Sequence, residues 1–230
     1  MLAIVINQMF FVGGVSLTSP VDATVLASML PIITMIVSAV ILKEPITGKK
    51  IVGVACGLTG ALIMVLCGTQ HNVAAQSDLL GNLLCLLAQI SFAFYVVVFK
   101  DIVGKYSAIT TMKWMFLFAS IVYLPFGFRY IKDVDYQMLD ASVYAGIFHI
   151  VFCGTFIGYL LIPIGQYRLR PTVVCMYNYL QPVVASTIAV AVGMDTFNLT
   201  KILAVLLIFG GVFIVIQSKS RRQLEQEAMS

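Results

Sequence analysis

Long apolar stretches alternate with short polar breaks along the whole chain, and they mark eight spans: residues 1–18, 20–42, 49–68, 79–99, 111–130, 140–163, 171–193 and 200–217. Each approaches the roughly 20 helical residues that cross a hydrocarbon core of about 30 Å. Lipid offers no partner for a bare N–H or C=O, so a helix is the state that satisfies such a run. The pattern therefore predicts an all-α polytopic membrane protein, a bundle of about eight transmembrane helices. The breaks between spans are too short for a soluble domain.

The pattern also repeats. Pro20 can be laid on Pro171 and carried forward without a gap, so that Pro31 meets Pro182, Lys50 meets Lys201, Val54 meets Val205, Gly60 meets Gly211, and acidic Glu44 meets acidic Asp195. A weak internal repeat in an apolar chain is the mark of a transporter built from two homologous halves. Three helices lie before the polar break and five after it, both odd numbers, so the halves enter the membrane from opposite sides and the repeats are inverted. The expected organisation is the remainder of a first repeat at 1–70, a short outside linker at 71–78, a second five-helix repeat at 79–217 and a tail at 218–230. The repeat offset places counterparts of the spans at 79–99 and 111–130 before residue 1, so the expectation is that two N-terminal helices are missing.

Composition agrees with a membrane chain: 60% of residues are hydrophobic and 10% charged, and the mean hydropathy is +1.00. Eleven of the 14 basic residues fall in alternate breaks and the tail: Lys43, Lys49 and Lys50; Lys100, Lys105 and Lys113; Arg168 and Arg170; Lys219, Arg221 and Arg222. Arg129, Lys132 and Lys201 fall on the other side. By the positive-inside rule the first side, with both termini, is cytoplasmic, and the membrane is the cell inner membrane. The net charge of +4 thus reports topology and headgroup anchoring and implies no nucleic-acid partner.

The residues Met29-Leu30-Pro31, then Leu42-Lys43-Glu44-Pro45-Ile46-Thr47, then Gly53, Gly57 and Gly60 form one motif set, and Tyr179-Leu180-Gln181-Pro182, Gly193-Met194-Asp195 and Gly210-Gly211 form its second copy. This set resembles the repeat unit of the EamA family in the drug/metabolite transporter superfamily. The second copy departs from the family at Met194-Asp195. The resemblance implies ten helices in two inverted five-helix repeats, cytoplasmic ends, and export of a small organic metabolite.

Polar side chains inside a membrane helix face the protein interior or a water-filled path. The span at 171–193 is richest, with Tyr177, Asn178 and Gln181, of which the last two share a face. Their repeat partners are Ala27 and Leu30. Further candidates for substrate binding are Gln89 and Tyr95, Thr24 and Ser28, Asn7, and Tyr159. The alternative for each is an interhelical hydrogen bond worth about 0.6 kcal/mol. His149 is the candidate for proton coupling, because it titrates near neutrality; its other reading is a neutral imidazole near a helix end. Pro31 and Pro182 each remove a backbone donor in mid-helix and are candidate hinges. Gly53, Gly57 and Gly60, with Gly154 and Gly158, suit close helix approach or a homodimer face. Trp114, Tyr106, Tyr123 and Tyr130 read as interfacial anchors. The five cysteines are odd in number and form no C-x-x-C pair, so they read as small apolar residues without a metal.

An intramembrane enzyme would need a nucleophile with its base, or a metal cluster, at membrane depth. The sequence has no H-E-x-x-H, no G-x-S-x-G and no paired buried acids. The reading is a carrier working by alternating access on a small molecule such as an amino acid, a related metabolite or a xenobiotic, with the lipid bilayer as its other partner and no cofactor. A non-transport assembly protein is the remaining alternative. The lining, with no buried Arg or Lys, argues against strongly anionic cargo.

Overall fold

The computed structural model describes residues 2–68, 79–103, 105–131, 140–193 and 198–218. The linker at 71–78, Lys132, Asp195 and the tail beyond Ser218 lie outside the described residues. The elements formed by the described residues are helices, with no strand among them, so the chain is an all-α polytopic membrane protein. Helix α1 covers residues 2–15, with a π-helical start at Leu2–Ile6. It is followed by α2 (Pro20–Ala27), α3 (Leu30–Ile41), α4 (Gly48–Gly68) and α5 (Leu79–Val98). After the single turn α6 (Lys100–Val103) come α7 (Ala108–Ile131), α8 (Ala141–Arg168), α9 (Pro171–Met176), α10 (Leu180–Ala191) and α11 (Leu199–Ile216).

Among the described residues, six helical spans are long and apolar enough to cross a membrane. The first span is shorter, and the one at 171–193 is divided between α9 and α10 by a 3₁₀ turn at Tyr177–Tyr179. Helix α8 runs five residues beyond the expected end at 163. Pro163 does not stop it; the chain leaves helical geometry only at Leu169 and Arg170, both extended as the residue pair before Pro171.

Helix α5 is the hub. Its buried Ala93, Tyr95 and Val96 sit with Ile4 and Val5 of α1, Leu30 of α3 and Met112 and Ala119 of α7. A second core joins α3, α4, α9 and α11 through Met35, Val54, Val173, Met176, Ile208 and Val215. The repeat mates α4 and α11 lie backbone to backbone: a Cβ on Gly211 would come 2.5 Å from the Gly53 carbonyl, and one on Gly60 would come 2.7 Å from the Ala204 carbonyl. Gly57 is covered in the same way by the Tyr179 ring. The stripe Gly53, Gly57, Gly60 is therefore used up within the chain and is not an open dimer face.

Three expectations change. Gly154 and Gly158 do not mediate close packing, since nothing lies within 4 Å of a Cβ built on Gly154 and only the Cys153 carbonyl, at 3.9 Å, near one on Gly158. Tyr123 is an interhelical staple: its hydroxyl donates to the Val5 carbonyl at 3.0 Å, within the π-helical start of α1 where backbone carbonyls are displaced from regular partners. Two lysines are buried, Lys50 and Lys201, each 2% exposed, at opposite ends of the α4–α11 pair. Lys50 is balanced by Glu44, its Nζ 2.9 Å from Oε2.

Candidate functional site

Two broken helices build the centre. Pro31 and Pro182 have no N–H to give to the carbonyls of Ala27 and Asn178, four residues back. The helix responds by breaking just upstream: α2 ends at Ala27 before α3 resumes at Leu30, and the 3₁₀ turn carries Asn178 before α10 starts at Leu180. Ala27 and Asn178 are repeat mates, and both stand at the same cavity, each with a carbonyl lacking its regular helical donor.

That cavity, about 350 Å³, gathers Asn7 and Phe11 from α1, Gln89 and Phe92 from α5, Tyr159 from α8, and Asn178 and Gln181 from the second broken helix. Leu30, the repeat mate of Gln181, also borders it. A further space of about 280 Å³ continues from it past Ala27, Asn178 and Gln181, and is lined by Thr24, Ser28 and Ser186. Together they form one path, and its lining carries no ionised side chain. The chemistry on offer is amide and hydroxyl hydrogen bonding beside aromatic surface. Gln8 hydrogen-bonds the Tyr159 side chain, Asn7 donates to the Ala88 carbonyl at 2.9 Å and Ser28 donates to the Thr24 carbonyl at 2.9 Å. Asn7 thus ties α1 to α5 as well as bordering the cavity.

The structure thereby brings together Asn7, Thr24, Ser28, Gln89, Tyr159, Asn178 and Gln181. It places three other candidates elsewhere. Tyr95 lies six residues past Gln89, on a different face of α5, and lines an aromatic cleft of about 510 Å³ with Phe99, Tyr106, Trp114 and Phe118. That cleft is larger but holds no amide, and it lies between α5 and α7 at the lysine-bearing end. Tyr177 is 45% exposed, turned away from the Asn178 side chain by a 3₁₀ step of about 120°. His149 is on the exposed stretch of α8, outside the cavity lining. Phe11, Phe92 and Ser186 line the path without having been singled out; their signal was spacing, four after Asn7, three after Gln89 and five after Gln181.

No group of three His, Cys, Asp or Glu residues that could hold a metal exists among the described residues. Apolar spanning helices around a polar, uncharged path with contributions from both halves describe a membrane transporter. The chain belongs to the EamA-like transporter family, whose model matches residues 1–66 and 79–217. It is 26% identical over 204 residues to the uncharacterized transporter YyaM of Bacillus subtilis, covering 89% of this chain and 67% of the relative. It is 25% identical over 244 residues to the WAT1-related protein At2g40900 of Arabidopsis thaliana, covering 95% of this chain and 61% of that protein. The chain thus spans between half and two thirds of the length of the curated relatives it matches. A solved crystal structure superposes with a TM-score of 0.72 at 17% identity, over 91% of this chain and 71% of its own, which shows the fold alone.

Proposed function

We propose that this transporter is a carrier that moves a small organic metabolite, uncharged or zwitterionic, across the inner membrane by alternating access, and that the net direction is outward. The observation that carries the reading is the amide pair Asn178 and Gln181, presented by a broken helix into a path whose other wall is the broken repeat mate. Amides donate and accept at once, so they suit amino acids, related metabolites and polar xenobiotics. Lys50 and Lys201 stand at the ends of the α4–α11 pair, away from the path, so a strongly anionic cargo would find no counter-charge there. The lysine-bearing end is assigned to the cytoplasm from the distribution of basic residues. With no carboxylate among the lining residues, the transport is read as facilitated or as exchange. Outward direction is supported by family membership alone.

Counterflow in proteoliposomes tests this, with a labelled panel of amino acids, nucleosides and sugars. The expected result is saturable exchange of one class, reduced at least tenfold in Asn178→Ala, Gln181→Ala while the protein stays monodisperse. Exchange that survives the double substitution would overturn this site, and a folded preparation that exchanges nothing would overturn the carrier reading.

A further inference from the structure

The cavity is closed toward the lysine-bearing end, and the closure is made of the wrong material for a permanent plug. Four helices carry their cavity faces on toward that end at helical spacing: Leu30, Thr34 and Ser38 on α3; Gln89, Phe92, Val96 and then Lys100 past the end of α5; Tyr159, Ile162 and Gln166 on α8; and Asn178, Cys175 and Thr172 along the broken helix. Thr34, Ser38 and Thr172 are fully shielded and Gln166 is 3% exposed. Yet the hydroxyls of Thr34, Ser38 and Thr172 and both amide atoms of Gln166 have no hydrogen-bond partner of sound geometry. Thr34 stands beside the Cys175 thiol, and a thiol is a weak partner. Buried polar groups in native proteins are nearly always satisfied, and of the five side chains left unsatisfied among the described residues four lie along the continuation of one path, the fifth being Tyr179 against Gly57 in the second core.

We infer that Thr34, Ser38, Gln166 and Thr172 form the inner section of the transport path, shut in this conformation and in contact with the cargo when that end opens. The inference rests on the carrier reading. The outer section is open in the same structure: along the broken helix, Pro171 to Val173, Cys175 and Met176 are buried, whereas Gln181 and Ala185, which line the outer space, are exposed. The inner end is closed by the contact of α3 with α9 and is capped by an ion pair between halves, Glu44 of the first with Lys100 of the second, at 3.9 Å. Glu44 also donates its backbone N–H to the Ser38 carbonyl at 3.2 Å, which ties the cap to the orphaned row. Opening this end separates Glu44 from Lys100, leaves Lys50 with Glu44, and hydrates four polar groups whose burial disfavours the closed state. The hydroxyl and amide chemistry of the row matches the central cavity, so one uncharged or zwitterionic cargo can cross both sections.

The test is thiol accessibility in a background whose five native cysteines are replaced by alanine. Ser38→Cys, Thr172→Cys and Gln166→Cys are labelled with a membrane-impermeant maleimide from the lysine-bearing side, with and without Lys100→Gln. Labelling is expected to be slow in the parent and about two- to fivefold faster with Lys100→Gln, the range set by losing one partly exposed ion pair. Labelling at Asn178→Cys from the opposite side is expected to fall in parallel. Rates at all three positions that ignore Lys100→Gln would overturn the inner section. Gln166→Cys, at the edge of the row beside Lys100 and Lys105, serves where Ser38→Cys and Thr172→Cys fail to fold. Counterflow is read on Ser38→Ala, Thr172→Val alongside: slower exchange with a raised melting temperature is expected, and unchanged exchange would show the row to be passive. Failure of the carrier reading gives a different pattern, no exchange by any variant whatever the labelling does.

Discussion

At the residue scale, the informative side chains are polar groups in apolar surroundings, and their roles divide by what each touches. Lys50 is 2% exposed and Glu44 10%, at 2.9 Å, so the pair exists by mutual neutralisation. Breaking one member of a buried pair leaves a stranded charge, at a cost of about 3 kcal/mol, whereas replacing both with neutral groups is close to neutral. Glu44→Gln should therefore lower the thermal midpoint clearly, and adding Lys50→Met should restore it; a Glu44→Gln protein that melts like the parent would show that the pair does not balance charge. The sequence placed Glu44 and the lysines of its loop at the membrane boundary but gave no sign that Lys50 would be enclosed, because burial of a terminal ammonium depends on the helix beside it. Asn178 and Gln181 were readable from their three-residue spacing. Tyr95 and Tyr177 were not, because a face is assigned only when neighbouring helices are in place.

At the element scale, glycine has two opposite meanings in this chain. On α4 and α11 it permits backbone contact, as the 2.5 Å approach of a Gly211 Cβ to the Gly53 carbonyl shows. On α8, Gly154 borders the cavity and has open space where a Cβ would stand. Overpacking a tight contact costs about 1–3 kcal/mol. Gly211→Leu is thus expected to lower the melting temperature of detergent-purified protein by several degrees, and Gly154→Ala to leave it within a degree. Equal effects would contradict the two environments. The α4–α11 stripe was visible in the sequence as glycines at four- and three-residue spacing, but the similar signature at Gly154 and Gly158 misled, since spacing reports capacity for close approach and not the presence of a neighbour. The helix breaks were foreshadowed by Pro31 and Pro182; their position upstream of each proline follows from which carbonyl loses its donor.

At the scale of the whole molecule, the asymmetry between an open and a closed end is what makes transport a concrete reading. His149 lies on the exposed part of α8, away from the path, and no acid lines that path. Substituting His149→Gln is expected to leave exchange rates and their pH profile between 5.5 and 8 unchanged within about twofold, since a group outside the path has no differential contact with cargo in the two states. A loss of pH dependence in the variant would reinstate proton coupling. The helical class, most of the apolar spans and the family were already legible in the sequence, because hydropathy and motif spacing are properties of the chain in order, and a long apolar run in lipid is satisfied as a helix. Which polar side chains meet, which lysines are enclosed and which end is shut were decided only by the tertiary structure. Each of those depends on residues far apart in sequence coming to share one space, as Glu44 does with Lys100 and Ala27 with Asn178.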